Sequence, residues 1–393
     1  MNRTGSIFSQ ILQLIPRPEF EQAVRKHKAE RPARGFSSWG QFVAMLFCQL
    51  GGAKSLREIC GGLAASEGKL RHLGLPAAPP RSTLAYANEH RPWQLFEEVF
   101  QQLVAKCQSL AASPAHKAQR FRFKNKLVSL DATIIDLCAA VFDWAQFRQT
   151  KGAVKLHLLL NHDGYLPQYA VITEGKQHEV RVARQLHYEA GTVLVFDRGY
   201  SDYDWFADLT EQGVWFVTRL KDNADYIVVE KRERPARKGV LQDQVIGFPR
   251  LEKAGRECFF RRIEFFDEEQ NRVLVFVTNH LTWSPATIAA IYKQRWQIEL
   301  FFKALKQSLR IKTFVGTSAN ALKTQIWAAL IAMLLIKYLQ LRATFGWSLS
   351  NLVALLRQQL FVYRDLWIWI DDPFQAPPPL PPPVVEQLAL VLP

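Results

Sequence analysis

The chain has 393 residues, enough for two or three domains with cores of their own. Its 50 Lys and Arg outnumber 36 Asp and Glu, for a formal charge of +14 and a pI near 9.6, a surplus that points to a polyanionic partner bound with strong salt dependence. No run of about eighteen uncharged apolar residues is present, and five scattered cysteines form no C-x-x-C pair or Cys/His cluster, so a membrane partner, a disulfide framework and a zinc site are all unsupported.

Residues 1–120 carry helix signals separated by Gly and Pro, namely SSWGQFVAMLFCQL, SLREICGGLAA and WQLFEEVFQQLVAKCQSL. Ser38 and Ser55 are expected helix caps, with Glu58 three residues after Ser55 as a capping box requires. SLREICGGL and RSTLAYANEHR flank the turn PAAPP in the manner of a helix-turn-helix, which would make Arg81, Asn88, His90 and Arg91 candidates for touching DNA. An ordinary helical domain with a solvated basic face fits the same pattern.

Between residues 121 and 221 the periodicity changes. KLVSLDATIIDL, AVKLHLLLNH and YLPQYAVITEG read as strands, the last two joined at the hairpin signal Asp163-Gly164. HEVRVARQLHYEA reads as a crossover helix, followed by strand TVLVFD, helix DYDWFADLTEQG and strand VWFVTRL. Asp131 and Asp197 stand within or at the end of apolar, β-rich runs, where an ionised carboxylate costs several kcal/mol unless something offsets it. A hard divalent cation such as Mg²⁺ or Mn²⁺ would do so.

From 222 to 281 short β-rich runs replace helix periodicity, with the basic turn KRERPARKG among them. An inserted β-rich unit and a simple extension of the sheet both fit. Residues 282–370 contain YKQRWQIELFFKALKQ, in which Tyr292, Arg295, Glu299 and Lys306 follow one another at intervals of three, four and seven. On a continuous helix they share a stripe of roughly 60°. An acid would then stand in a basic groove, although i,i+4 ion pairing on an amphipathic helix explains the charges equally well. Two further apolar helices follow, then the Pro-rich segment APPPLPPP in the tail, 371–393, which calls for no regular structure.

Together these residues resemble the bacterial insertion-sequence DDE transposases that carry a Tyr-Arg-Glu-Lys signature. Y-x-x-R-x-x-x-E-x-x-x-x-x-x-K is matched in full by Tyr292, Arg295, Glu299 and Lys306, D-R-G-Y by Asp197 to Tyr200, and the first-acid strand by Leu130 to Thr133. The resemblance implies an α/β fold: a ribonuclease-H-like catalytic core, begun in 121–221, interrupted by the β-rich insertion 222–281, and completed by the catalytic helix and C-terminal helices of 282–370. The N-terminal helical domain, 1–120, would bind DNA.

It further implies Asp131, Asp197 and Glu299 as catalytic residues and ligands of two Mg²⁺ or Mn²⁺ ions, with Tyr292, Arg295, Lys306 and Arg198 on DNA. The expected activity is cut-and-paste transposition: binding transposon ends, metal-dependent phosphodiester hydrolysis, and joining of the 3′ end to target DNA. The expected partners are double-stranded terminal inverted repeats and target DNA, with a homodimer on paired ends, in the cytoplasm at the nucleoid and away from membrane. A nuclease without strand transfer and a domesticated DNA-binding protein are the alternatives; the full acid set speaks against the second. His157 and His178 lie near the acid-bearing segments as potential supporting groups, ordinary structural roles being the alternative. Relatives that resolve their ends through hairpins stack a flipped base on a Trp of the insertion. None lies between Asp222 and Thr282, leaving Trp283 and Trp296 as substitutes.

Overall fold

The computed structural model of the chain describes residues 5–30, 35–66, 68–111, 121, 123–138, 142, 144, 146–148, 151–233, 239–309 and 314–374. The Pro-rich tail from 375 and the turn residues 234–238 lie outside them.

Six helices come first: α1 (Ile7–Leu12), α2 (Arg17–Lys26), α3 (Ser38–Leu50), α4 (Leu56–Ala64), α5 (Arg81–His90) and α6 (Gln94–Ala111). Ser37, one residue earlier than expected, caps α3, because the Ser38 hydroxyl donates instead to the Ala29 carbonyl. Ser55 caps α4 by accepting from Glu58 N. Two of the expected DNA contacts on and after α5 are structural. Asn88 is buried and accepts from Gln41 Nε2 at 2.9 Å, while Arg91 donates to the carbonyls of Ser37 and Phe36. Arg81 and His90 remain exposed.

The sheet begins with β1 (Leu127–Cys138), β2 (Gln146–Arg148), β3 (Lys151–Asn161) and β4 (Leu166–Glu174). A short α7 (Glu179–Ala183) leads to β5 (Val193–Phe196), α8 (Tyr203–Glu211) and β6 (Trp215–Arg219). The expected crossover helix is thus only five residues long. β3 pairs antiparallel with both β1 and β4, whereas β5 pairs parallel with β1 and with β6. An antiparallel start followed by two parallel strands is the order of a ribonuclease-H-like core.

Strands β7 (Ile227–Lys231) and β8 (Val240–Gly247), helix α9 (Pro249–Lys253), and strands β9 (Phe259–Asp267) and β10 (Arg272–Thr278) follow. They extend the same sheet: β10 pairs with β6, and the order continues β9, β8, β7. Asp243 on β8 takes two hydrogen bonds from Arg261 on β9, at 2.8 and 2.5 Å, with both side chains almost fully buried. Arg261 also donates to the Leu281 and Trp283 carbonyls, tying this part of the sheet to the next helix. Asp243→Ala would leave that guanidinium buried without its counter-ion, and is expected to cost about 3–5 kcal/mol in chemical denaturation. A change below about 0.5 kcal/mol would show that the pair has no structural role.

The chain closes with α10 (Pro285–Gln294), α11 (Trp296–Ser308), α12 (Ala319–Arg342), α13 (Leu349–Gln359) and α14 (Leu366–Asp371). By length and composition α12 could cross a membrane, but 83% of its apolar window is buried inside the protein. It is the central helix of the larger core, packed against α3, α5 and α6 with Trp327 against Phe100.

Alternation along the strands decides which side chains meet which helices. On β1, Val128 and Leu130 join the core beneath α8, while Leu127 joins the core under α10, and Ile135 and Leu137 join the one under α11 and α12. Asp131 has the same parity as Leu127 and Ile135. It therefore faces the α10–α11 layer, at the seam between two apolar cores.

Candidate active site

Leu130 of β1 is in register with Phe196 of β5, so Asp131, within β1, and Asp197, just past the end of β5, stand side by side on adjacent strands. The backbone at Asp197 is still extended, and its carboxylate caps the tight turn of Arg198–Tyr200 by accepting from Gly199 N at 2.7 Å. The D-R-G-Y run is thus a strand end, a cap and a turn, lying outside the carboxyl end of a parallel strand, where open α/β sheets hold their ligands.

Glu299 comes from the first turn of α11. The signature does not lie on one uninterrupted helix. Arg295 ends α10 and begins α11, with i to i−3 hydrogen bonds from Arg295 N to Tyr292 O and from Ile298 N to Arg295 O. That tight turn stands over the seam in which Asp131 lies. Arg295 Nη2 donates to Glu299 Oε1 at 2.5 Å, and Nη1 reaches Asp131 Oδ2 at 3.5 Å. One guanidinium, 14% exposed, therefore joins two acids that are 168 residues apart in the sequence. Its Nε is buried without a partner.

Burial pushes the Asp131 carboxyl up to about 7. The Ala132 N–H, at 2.8 Å, and Arg295 pull it down, while the charges of Asp197 and Glu299 raise it. The three acids thus sense one another, although among the described residues no three acidic, His or Cys side chains gather as ligands of one ion. The Arg295 guanidinium stands between Asp131 and Glu299, where it neutralises both. A hard cation suits this all-oxygen set, because the acid that would lose its proton is already buried beside two others.

The remaining expected residues divide by role. The Tyr292 ring packs against Phe276, 5.1 Å between centroids, and under the Arg295 guanidinium. Burial raises its phenol pKa. Lys306 Nζ donates to the Ile134 carbonyl at 2.9 Å, pinning α11 to β1. Arg198 is exposed and pairs with Asp222 at 3.2 Å. His157 is buried against the Thr173 hydroxyl, and desolvation lowers its pKa to about 4, which marks it as structural. His178 precedes α7 and lines the cleft beside Gly199. Trp283 is held in a stack between Phe123 and His280, whereas Trp296, next to Arg295, is 56% exposed.

Sequence reasoning missed Glu179, which comes to the glycine of the second-acid turn. A Cβ added at Gly199 would meet Asp197 Oδ1 at 3.2 Å and Glu179 Oε2 at 3.4 Å, so both carboxylates converge over this glycine. The only sequence signal was the His-Glu pair opening α7.

Residues 122–335 match the family model described as "Transposase DDE domain", and residues 3–76 match one described as a domain of unknown function, DUF4372. The chain is 29% identical over 330 residues to the putative transposase y4zB of Sinorhizobium fredii, covering 83% of this chain and 88% of that protein. It is also 29% identical over 258 residues to the probable transposase for insertion sequence element IS5377 of Geobacillus stearothermophilus, covering 66% and 67%. Among solved structures, the piggyBac transposase synaptic complex with hairpin DNA aligns over 92% of this chain and 81% of that one, with 7% identity and a TM-score of 0.46.

Proposed function

The chain belongs to the transposase DDE-domain family, that of bacterial insertion-sequence transposases, and on that premise we propose that Asp131, Asp197 and Glu299 are its catalytic carboxylates. The observation that carries this reading is the single Arg295 guanidinium shared by Asp131 and Glu299, beside an Asp197 one strand away. Enzymes of this family generally use divalent metal ions; the donor set here fits two Mg²⁺ or Mn²⁺. When bound, such ions supply Lewis-acid activation of the attacking and leaving oxygens of an in-line phosphodiester displacement.

The protein's own side chains set the rest. Without metal, Arg295 neutralises Asp131 and Glu299. Its planar fork has the bidentate geometry that would suit a phosphate at this site. Tyr292 holds the guanidinium from below. Lys306 fixes the height of α11 above β1, and Arg198 offers an exposed charge beside Asp197. The partners in this reading are double-stranded inverted repeats and target DNA, attracted by the net charge of +14, with two copies of the chain acting on paired ends.

Glu299→Gln separates chemistry from binding. Mg²⁺-dependent cleavage of labelled transposon ends is expected to fall by about three orders of magnitude, with end-DNA affinity within about twofold in a gel shift. Cleavage at the normal rate would remove Glu299 from the mechanism. Joining of the same ends to a target plasmid by the unaltered protein distinguishes strand transfer from hydrolysis alone.

A further inference from the structure

We propose that the basic cleft on the α8 face of the sheet, beside the turn after Asp197, binds the phosphodiester backbone of a DNA strand next to the scissile phosphate, with Arg181 and Lys221 as its phosphate contacts. This rests on the active-site reading above and adds a binding surface to it. The cleft follows from strand lengths. β5 pairs with β1 only as far as Leu130 and Phe196, whereas β1 runs on beside β3, with Ile134 opposite Lys155. Lys155 has the parity of Leu159 and so stands on the α8 face, away from Asp131. Beyond β5, the Arg198–Tyr200 turn, α7 and the segment after β6 bring Gly199, Arg181, Arg184 and Lys221 to the same hollow as Lys155. Gly199 joins this hollow to the acids: its N–H holds the Asp197 carboxylate at 2.7 Å, and the glycine itself lines the cleft.

The lining selects for a polyanion. Lys155, Arg181, Arg184 and Lys221 stand against Glu179 and Asp202, a surplus of two positive charges with His178 neutral. Both carboxylates are consumed within the fold. Lys155 Nζ donates to Glu179 Oε1 at 3.2 Å, and Arg184 Nη2 donates to Asp202 Oδ1 at 2.7 Å, an oxygen that also caps α8 by accepting from Trp205 N at 3.0 Å. These two pairs fix the walls. They leave Arg181 and Lys221, both exposed and without an ion pair among the described residues, as the cations open to a ligand. A solvated basic loop scatters its charges, but here four cations from β3, α7 with its C-terminal cap, and the segment after β6 converge on one concavity of about 570 Å³. A cleft lined by one excess sign of charge concentrates the field on whatever enters it.

The same lining favours backbone over base. Among the described residues around the cleft there is no aromatic ring, so a base would find no stacking surface. Sugar-phosphate contacts need only cations and hydrogen-bond donors, and they position a strand without reading its sequence. Location supplies the rest. Each strand of a duplex carries a phosphate about every 3.4 Å along the axis, so a strand whose scissile phosphate lies at Asp197 brings its next phosphates to the far side of Gly199. The transposon end and the target share this backbone chemistry, and the two arms of the test separate them.

The test compares the full chain with the double variant Arg181→Ala, Lys221→Ala, its charge-keeping counterpart Arg181→Lys, Lys221→Arg, and Glu299→Gln. Gel shifts of a transposon-end duplex, and rates of joining pre-cut ends to a target plasmid, are measured across a salt series. Removing both cations is expected to lower by about two the slope of log affinity against log salt if the cleft holds the end, or the slope of log joining rate against log salt if it holds the target. The charge-keeping variant should restore whichever slope fell. Neither double variant should melt earlier than the unaltered protein, because both side chains are exposed. A slope that falls and is not restored would mark damage to the fold and overturn the proposal. Two unchanged slopes, with Glu299→Gln inactive in cleavage, would overturn the cleft and leave the active site standing. Normal cleavage by Glu299→Gln would instead defeat the active-site reading on which the proposal rests.

Discussion

Asp131→Asn is expected to abolish end cleavage and, in the same metal-free protein, to raise stability above neutral pH. The two effects have one origin. Burial, together with Asp197 and Glu299, holds the Asp131 carboxyl near 7, far above its ordinary 3.8. A raised acid pKa means that the folded chain binds the proton more tightly than the unfolded one. Stability is therefore full below about pH 4, falls as pH rises towards 7, and levels off beyond. At about 1.4 kcal/mol per unit, the loss at pH 8 is at most about 4 kcal/mol, reduced by whatever solvent and Arg295 screen. Asparagine carries no such penalty, so the variant should melt higher than the unaltered protein at pH 8 and equally at pH 4. Mg²⁺ should raise the melting temperature of the unaltered protein more at pH 8 than at pH 6, because it displaces the proton, and should leave the variant unmoved. Cleavage should drop by roughly a thousandfold or more. Equal melting of both proteins across this range would show that Asp131 is not the strained acid described.

Arg295→Ala should have the opposite effect on stability. The guanidinium, 14% exposed, joins Asp131 to Glu299, and the backbone of Arg295 forms the turn between α10 and α11. An exposed i,i+4 pair would be worth only about 0.3–0.5 kcal/mol. Removing one member of a buried set costs on the order of 3–5 kcal/mol, and solvent at the 35%-exposed Glu299 lowers that to about 2–3 kcal/mol here. The metal-free variant is therefore expected to lose that much in denaturant, and Mg²⁺ should recover part of it by taking over the charge. With metal present, cleavage should still fall about a hundredfold, since a scissile phosphate misplaced by about 1 Å costs that much. Log affinity for end DNA against log salt should flatten by about one. Arg295→Lys should restore more stability than activity, because a point charge can neutralise acids but cannot hold phosphate in a fork. Unchanged stability and an unchanged salt slope would reduce Arg295 to an ordinary surface pair.

Local pattern made much of this protein legible from its sequence. The unbroken apolar run Val193–Phe196 marks a strand buried on both faces, Asp197 to Tyr200 spell a capped turn, and the spacing of Tyr292, Arg295, Glu299 and Lys306 brings their side chains towards one face even across the tight turn at Arg295. Each is a matter of a few residues, where periodicity and hydrogen-bond geometry act directly. Tertiary structure alone decided which polar groups are used up in the fold. Asn88 and Arg91 read as surface contacts, but Gln41 and the carbonyls of Phe36 and Ser37 consume them. Trp283 is committed to a stack, and β7–β10 continue the sheet because β10 finds the open edge of β6. Most of all, Arg295 meets Asp131 only because strands and helices distant in sequence close over one seam. Spacing along a chain sets which face a residue takes; it carries no information about which charge from elsewhere will arrive opposite it.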